Sequence, residues 1–246
     1  MFRQIEAWQG ARPWGRMLDA GTGEHSLRWI LGLSTTAWTA VTGDPGRHED
    51  LQRAWGPRMR PADRLVTGNW TDPELLAGER YDTVLADYLL GALDGFSPYF
   101  QDRIFHRLRP HVAGRLYVVG LAPIDDEGGG EAGDIVRAIA RLRDACILLA
   151  GHRCYREYPL DWVHRHLVAA GFRVIHRRRV PIVYGPRWID GQLDVCLRKL
   201  PCFPDPDLAE ATRRRVEELR RTARDACDRL GGLRFGHDWL VAAEPG

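Results

Sequence analysis

Short apolar runs alternate with amphipathic segments along the first half of the chain. The apolar runs lie at 16–19, 37–42, 64–67, 81–88 and 114–121, each bounded by glycine, proline or charged residues. Runs of this length between turn-forming residues are typical of buried strands. The segments between them place apolar residues three to four positions apart, which is typical of helices packed along one side. The alternation predicts an α/β fold with a mostly parallel sheet and helices on both of its faces.

Longer helices dominate the second half of the chain. One helix is predicted over 131–150 and another over 161–170, with Asp161 as the N-cap and Gly171 as the C-cap of the latter. A further strand is expected to begin at Phe172.

Two segments are expected to lie outside the sheet. Residues 1–14 form a short helical N-terminal segment that either packs on the sheet edge or closes over the site as a lid. Residues 189–231 form a helical insertion before the last strand, which is predicted at 236–243. The whole chain, 1–246, is predicted to be a single domain.

A glycine-rich turn follows the first strand and is the strongest local signal for a binding site. The strand ends at Asp19, the turn contains Gly21, Thr22 and Gly23, and a helix follows. Glycines allow the backbone to approach a ligand closely, and the first N–H groups of a helix point toward it. The pattern therefore predicts a nucleotide-like ligand at this turn.

The sequence LDAGTG after a strand resembles the first motif of the class I S-adenosylmethionine (SAM)-dependent methyltransferases. Asp19, Gly21 and Gly23 match the acidic residue and the first two glycines of that motif, whereas His25 stands in place of the third. The resemblance implies a Rossmann-like sheet of seven strands, with the last strand antiparallel and SAM lying across the strand ends. We expect the His25 side chain to point away from SAM.

The resemblance extends to the ends of the next three strands. The fourth strand ends in Asp87 and Tyr88, as the fourth motif of the family does, and open α/β sheets bind ligands at such strand ends. By the same comparison Asp44 is the candidate for the ribose hydroxyls, and Asn69, with Asp72 as the alternative, for the adenine amino group. Three candidates also have a structural interpretation: Asp44 as a turn residue, Asp87 as a helix cap and Trp70 as a residue of the core. The predicted cofactor-binding residues are Asp19, Gly21, Thr22, Gly23, Asp44, Asn69, Trp70 and Asp87.

Methyl transfer requires mainly that the acceptor be positioned, because the methyl group is already activated. Aromatic and carboxylate side chains near the positive sulfur suit this task. Tyr155 and Tyr158 flank an arginine and a glutamate just before a helix, an unusual concentration of polar aromatic residues. The predicted catalytic or acceptor-binding residues are Asp87, Tyr88, Tyr155, Tyr158 and Tyr184.

Composition narrows the class of function. The 35 Lys and Arg against 33 Asp and Glu leave a formal charge of +2, which argues against a nucleic-acid-binding surface. The fourth motif also lacks the Pro-Pro pair of the family's nucleic-acid N-methyltransferases. The 5 cysteines lack the spacing of a metal site. With neither a signal peptide nor a membrane span recognisable, a cytoplasmic protein is expected, and a homodimer is left open.

Three hypotheses on activity remain open at this stage. The first is a SAM-dependent methyltransferase for a small-molecule acceptor, such as a specialised metabolite. The second is another SAM-consuming reaction, in which the aminocarboxypropyl arm cyclises or is transferred and 5′-methylthioadenosine is released. The third is an inactive SAM-binding partner subunit, which the altered glycine motif would allow.

Overall fold

A computed structural model describes residues 1–246 and contains one seven-stranded sheet. The strands are β1 (Arg16–Asp19), β2 (Ala37–Thr42), β3 (Arg64–Thr67), β4 (Tyr81–Asp87), β5 (Val112–Leu121), β6 (Phe172–Tyr184) and β7 (Leu233–Pro245). Their order is β3-β2-β1-β4-β5-β7-β6. Strands β1 to β5 pair in parallel, and the β5-β7-β6 end of the sheet is antiparallel. The fold class predicted from the sequence, including the antiparallel last strand, is confirmed.

Nine helices connect and flank the strands. They are α1 (Phe2–Gln9), α2 (Glu24–Ile30), α3 (Pro45–Trp55), α4 (Leu89–Phe96), α5 (Ile104–Leu108), α6 (Gly130–Leu149), α7 (Leu160–Ala169), α8 (Pro186–Lys199) and α9 (Pro206–Leu230). The N-cap predicted at Asp161 is wrong, because Pro159 precedes the helix and Asp161 lies in its first turn. Gly171 follows the last turn of α7 at φ 79°, a left-handed conformation that favours glycine.

The chain divides into two compact units, whereas the sequence predicts one domain with an insertion. The first unit contains 1–122, 155–179 and 239–246, and the second contains 123–154 and 180–238. Helix α6 therefore joins the predicted insertion in the second unit. Two of the four boundaries between the units fall within strands β6 and β7, which are longer than the sequence pattern indicates.

The first unit buries both faces of its sheet, as the alternation of side chains along a strand requires. Leu18 and Val84 belong to the apolar cluster on one face, whereas Met17 and Leu85 belong to the cluster on the other. Five parallel strands covered on both sides bring the carboxyl ends of β1, β2, β3 and β4 to one edge. That edge is where ligands bind in open α/β sheets.

The second unit is built from the apolar sides of α6, α8 and α9. Val136, Leu193 and Val216 are fully buried in its core. On its surface Arg220 donates to Asp190 at 3.0 Å and to Asp194 at 2.8 Å, which joins α8 to α9. The charged residues of these helices therefore pair with one another.

Helix α1 is held against the first unit by several specific contacts. Ile5 is fully buried, and the ring of Phe2 stacks on Trp29 in the last turn of α2 at 4.5 Å. The Tyr117 hydroxyl donates to Gln9 Oε1 at 2.7 Å. Of the two interpretations left open by the sequence, these contacts match packing on the sheet, and the role of 1–14 as a lid stays a prediction.

Candidate active site

Helix α4 lies against the loops that follow three other strands. It begins one residue after β4, and its Leu89 packs on Gly21, where a Cβ would lie 2.8 Å from Leu89 Cδ1. At the other end of α4, Phe96 packs on Gly43 in the same way, at 2.9 Å. The Asn69 amide donates to the Phe96 carbonyl at 3.3 Å. Glycine is needed at 21 and 43 because the helix approaches both loops so closely.

Asp19 is buried at the carboxyl end of β1 without a hydrogen bond to either carboxylate oxygen. Burial raises the pKa of this carboxyl to about 6, although Ser26, Thr22 and the Gly21 N–H lie near enough to oppose the rise in part. The Thr22 hydroxyl is also buried without a hydrogen-bond partner. Two adjacent polar groups at the glycine turn are thus left unsatisfied, which is rare in folded proteins.

The turn after Thr22 is shaped by its backbone and by one hydroxyl. Gly23 precedes α2 in an extended conformation, and a Cβ there would meet nothing within 4 Å. Ser26 Oγ accepts from the Gly23 N–H at 3.1 Å and donates to the Gly23 carbonyl at 3.2 Å. His25 is exposed in the first turn of α2. The space beside Gly23 is therefore open.

Asp44 follows β2 and caps α3. Its Oδ1 accepts from the Gly46 N–H at 2.9 Å and from the Arg47 N–H at 3.3 Å. The sequence indicates a turn residue as the structural alternative, whereas the structure shows a helix cap. Because Asp44 is exposed and both bonds go to Oδ1, a role for Oδ2 toward a ribose hydroxyl stays a prediction.

The loop after β3 uses its polar side chains to hold itself together. Asn69 Oδ1 accepts from Ser97 Oγ at 2.6 Å and from the Thr71 N–H at 3.0 Å. Trp70 is buried in the core, and its indole N–H donates to the Ala20 carbonyl at 2.6 Å. Trp70 thus links this loop to the glycine turn as a packing residue, and its predicted contact with a cofactor stays a prediction.

Asp87 and Tyr88 lie at the carboxyl end of β4, as predicted. Asp87 pairs with Val119 of β5, and the Tyr88 N–H donates to the Val119 carbonyl at 2.9 Å. Tyr88 has φ 49° and is 39% exposed. A non-glycine residue with a left-handed backbone stores strain, and such residues cluster at functional sites.

The segment 155–158 packs along α4, on a side that carries two glycines. A Cβ at Gly91 would lie 2.6 Å from Glu157 Oε1, and one at Gly95 would lie 3.1 Å from Tyr155 Cε1. The Tyr158 carbonyl accepts from the indole of Trp239, at 3.0 Å. The structure therefore brings the predicted Tyr155 and Tyr158 to helix α4, which Tyr88 directly precedes.

Asp94 lies between those two glycines and was missed by the sequence analysis. Its side chain is buried, neither oxygen has a hydrogen bond, and Arg156 Nε lies 3.6 Å from Oδ2. Burial, together with the charge of Asp94, raises the pKa of the Tyr158 phenol. The spacing Gly91, Asp94, Gly95 on one side of a helix is the only sequence signal that could have indicated it.

Tyr184 is not among these residues. It belongs to the second unit, where its buried ring stacks on Trp188 at 4.0 Å. A catalytic role for Tyr184 stays a prediction.

Comparison with known proteins gives a structural likeness without a sequence match. No protein-family model matches the chain, and no curated protein sequence does. A protein of Bacillus halodurans with a provisional methyltransferase name matches with a TM-score of 0.64 and 13% identity, over 100% of this chain and 98% of its own. Coclaurine N-methyltransferase, solved with N-methylheliamine and S-adenosylhomocysteine (SAH), matches with a TM-score of 0.55 and 13% identity, over 99% of this chain and 71% of its own.

A third similar structure is the cyclase SpnF, with a TM-score of 0.56 and 15% identity, over 99% of this chain and 79% of its own. The chain therefore has the Rossmann-like fold of the SAM-dependent methyltransferases, as the first motif indicated. The names of these proteins also show that more than one reaction occurs on this fold, so the fold does not fix the reaction.

Proposed function

We propose that this protein is a SAM-dependent methyltransferase that acts on a small-molecule acceptor at the carboxyl edge of the sheet. The observation that carries the proposal is the buried Asp19 carboxylate, which has no hydrogen bond and lies at a glycine turn directly after β1. A buried carboxylate is costly unless a positive group or a donor compensates it when the protein works. A cofactor with an ammonium and a sulfonium group would do so.

The residues at this edge fit SAM. The turn at Gly21 and Gly23 admits a ligand beside the backbone, and the unsatisfied Thr22 hydroxyl is available within it. Asp44 would offer its second oxygen to the ribose, since a vicinal diol suits a carboxylate acceptor. Leu89 would border the same turn as an apolar wall.

SAM supplies a methyl group that its positive sulfur already activates. The task of this chain is to orient the acceptor and exclude water. Tyr88 and Asp87, at the end of β4, would hold the acceptor together with Tyr155 and Tyr158 from the segment beside α4. A carboxylate here would take a proton from an acceptor that must lose one.

The proposal is tested by the products formed from SAM. Purified protein is incubated with SAM, with and without pools of small amines, phenols and acids, and the nucleosides are identified by mass spectrometry. We expect acceptor-dependent SAH, and an Asp87→Asn variant should form it more slowly while Asp50→Asn, on the exposed side of α3, should not. Release of 5′-methylthioadenosine would instead establish attack on the γ-carbon, and absence of SAH binding by calorimetry would overturn the proposal.

A further inference from the structure

The exposed aromatic side chains of this protein are concentrated at α4. Four aromatic residues are largely exposed, and each lies on α4 or in a segment next to it: Tyr88, Phe96, Tyr99 and Tyr155. Tyr88 directly precedes the helix, and Tyr155 packs on Gly95. Exposed aromatic rings at one place indicate a binding surface, because their burial by a ligand removes apolar area from water.

Two carboxylates lie at this aromatic surface on the same side of α4. Glu157 packs on Gly91, and Asp94 lies one turn further along the helix. Asp94 is only 1% exposed, and no hydrogen bond satisfies its oxygens. Since a buried carboxylate is costly unless donors satisfy its oxygens, the environment of Asp94 lacks at least one hydrogen-bond donor.

The cation nearest to Asp94 is itself held at the surface. Arg156 is the one cation that pairs with Asp94, at 3.6 Å, and its side chain is 60% exposed, with the guanidinium over the Tyr99 ring at 5.8 Å. The charges of Asp94 and Asp102 raise the pKa of the Tyr158 phenol, and Arg156 opposes them. A buried carboxylate whose oxygens accept no hydrogen bond favours a cationic ligand over an anionic one.

From this juxtaposition we infer that the acceptor is an organic amine, bound with its ammonium toward Asp94 and Glu157 and its body on Tyr88, Tyr155 and Tyr158. The inference rests on the proposed function, because it names the acceptor class of that same site. Aromatic faces and carboxylates both attract an organic cation, and an apolar body covers the exposed rings.

The reaction balances without another reactant. The bound ammonium first loses one proton to a carboxylate, and Glu157 is the nearer candidate to the exposed surface. The amine lone pair then forms the N–C bond to the methyl group of SAM, and the S–C bond breaks with its electron pair staying on sulfur. The products are an N-methylammonium and neutral SAH.

Three probes that share a phenyl ring on a two-carbon chain and differ in the charge of the terminal group test the inference. Phenylethylamine, phenylethanol and phenylpropionate are titrated into the protein saturated with SAH, and binding is followed by calorimetry. The amine should bind at least about tenfold more tightly than the alcohol, and the acid should bind most weakly. Equal binding of amine and alcohol, or preference for the acid, would overturn the inference.

Two substitutions with opposite expected effects on amine affinity provide a second test. Asp94→Asn should weaken amine binding by about tenfold or more, with Glu157→Gln as the second variant should the first not fold. Arg156→Gln should strengthen it by about threefold, because Arg156 competes with the amine for Asp94. If Arg156 instead holds an anionic acceptor, the same change should abolish acid binding and leave the amine unaffected.

The failure of the inference can be told apart from failure of the proposed function. SAH binding in the absence of any probe tests the cofactor site alone, and Asp94→Asn should leave it unchanged. Asp161→Asn, which removes one exposed carboxylate from the first turn of α7, should change neither SAH nor amine binding. A protein that binds SAH yet shows no amine preference refutes the inference only.

Discussion

The two units of this protein differ in whether all of their buried side-chain polar atoms have partners. Every buried side-chain nitrogen or oxygen without a hydrogen-bond partner belongs to the first unit, on Asp19, Thr22, His48, Trp55, Asp94, Gln101, Arg107 and Arg115. The second unit pairs its charges, as Asp190 does with Arg220 and Arg224. Unsatisfied groups persist where a ligand completes them, and paired ones support a stable scaffold. The contrast separates the unit in which we propose the binding site from the unit in which every buried side-chain polar atom has a partner.

The largest effect expected from this contrast concerns the pH dependence of stability at Asp19. Its pKa is raised from 3.8 to about 6 in the folded protein, so the folded state holds the proton more tightly than the unfolded state. Stability from this group is therefore complete below pH 3.8 and declines as pH rises to about 6, by about 3 kcal/mol for a two-unit shift.

Urea unfolding at pH 4 and pH 7 measures this loss. The Asp19→Asn variant should lack it, so the difference in the free energy of unfolding between wild type and variant should change by about 2 kcal/mol between the two pH values, which is most of the full effect. A difference that stays constant with pH would show that Asp19 is not buried in solution as described.

The next effect is on cofactor binding. A cation bound near Asp19 favours the ionised carboxylate, so binding should release a proton at pH values near 6. SAH affinity should then be about tenfold weaker at pH 5 than at pH 7, equivalent to about 1.4 kcal/mol. Calorimetry in two buffers of different ionisation enthalpy measures the released proton. Equal heats in the two buffers would contradict this linkage.

A smaller effect of opposite sign is expected in the second unit. Arg224, followed by Arg220, lowers the pKa of Asp190, so the stability contributed by this group is present above its unfolded pKa and is lost as pH falls through its folded pKa. Arg220→Met should reduce the free energy of unfolding by about 1 kcal/mol at pH 7. The decrease in stability caused by Arg220→Met should be smaller at acidic pH and at high salt. A decrease that neither condition changes would show that Arg220 stabilises through packing and not through its charge.

The smallest effect compares two helical glycines, one in each unit. Gly191 in α8 has open space at its Cβ position, so Gly191→Ala should stabilise by about 0.5–1 kcal/mol through helix propensity. Gly91 in α4 has Glu157 Oε1 at 2.6 Å from that position, so Gly91→Ala should lose this gain and weaken amine binding. Thermal unfolding and probe titration of both variants decide the matter, and equal stabilisation of the two would mean that segment 155–158 is not packed as described.

The periodic parts of the fold could be predicted from the sequence, because strand alternation and glycine turns are local signals. The bounds of β2 and β3 and the glycine turn after Asp19 agree with the structure. Helical spacing is not sufficient, since apolar residues recur at that spacing over 98–108 but only Ile104–Leu108 is helical and 98–103 forms turns.

The candidate site was only partly predictable, because burial depends on contacts between distant segments. Asp94 has the sequence context of a surface aspartate, and only the packing of 155–158 on Gly91 and Gly95 buries it. Trp70 and Asn69 face inward for the same reason, through bonds to Ala20 and Ser97. The spacing of residues in the sequence predicts which strand a residue follows. It does not predict which residues its side chain contacts.

The contacts of α4 with three loops have a consequence for how the two ligands affect each other's binding. The same short helix contacts Gly21, Gly43 and Asn69 with its apolar and backbone groups and carries Asp94 on its side. A small displacement of this helix on cofactor binding would move both sets of contacts together. Cofactor and acceptor affinities should then be linked by one reciprocal factor, so SAH should tighten phenylethylamine binding as much as phenylethylamine tightens SAH binding.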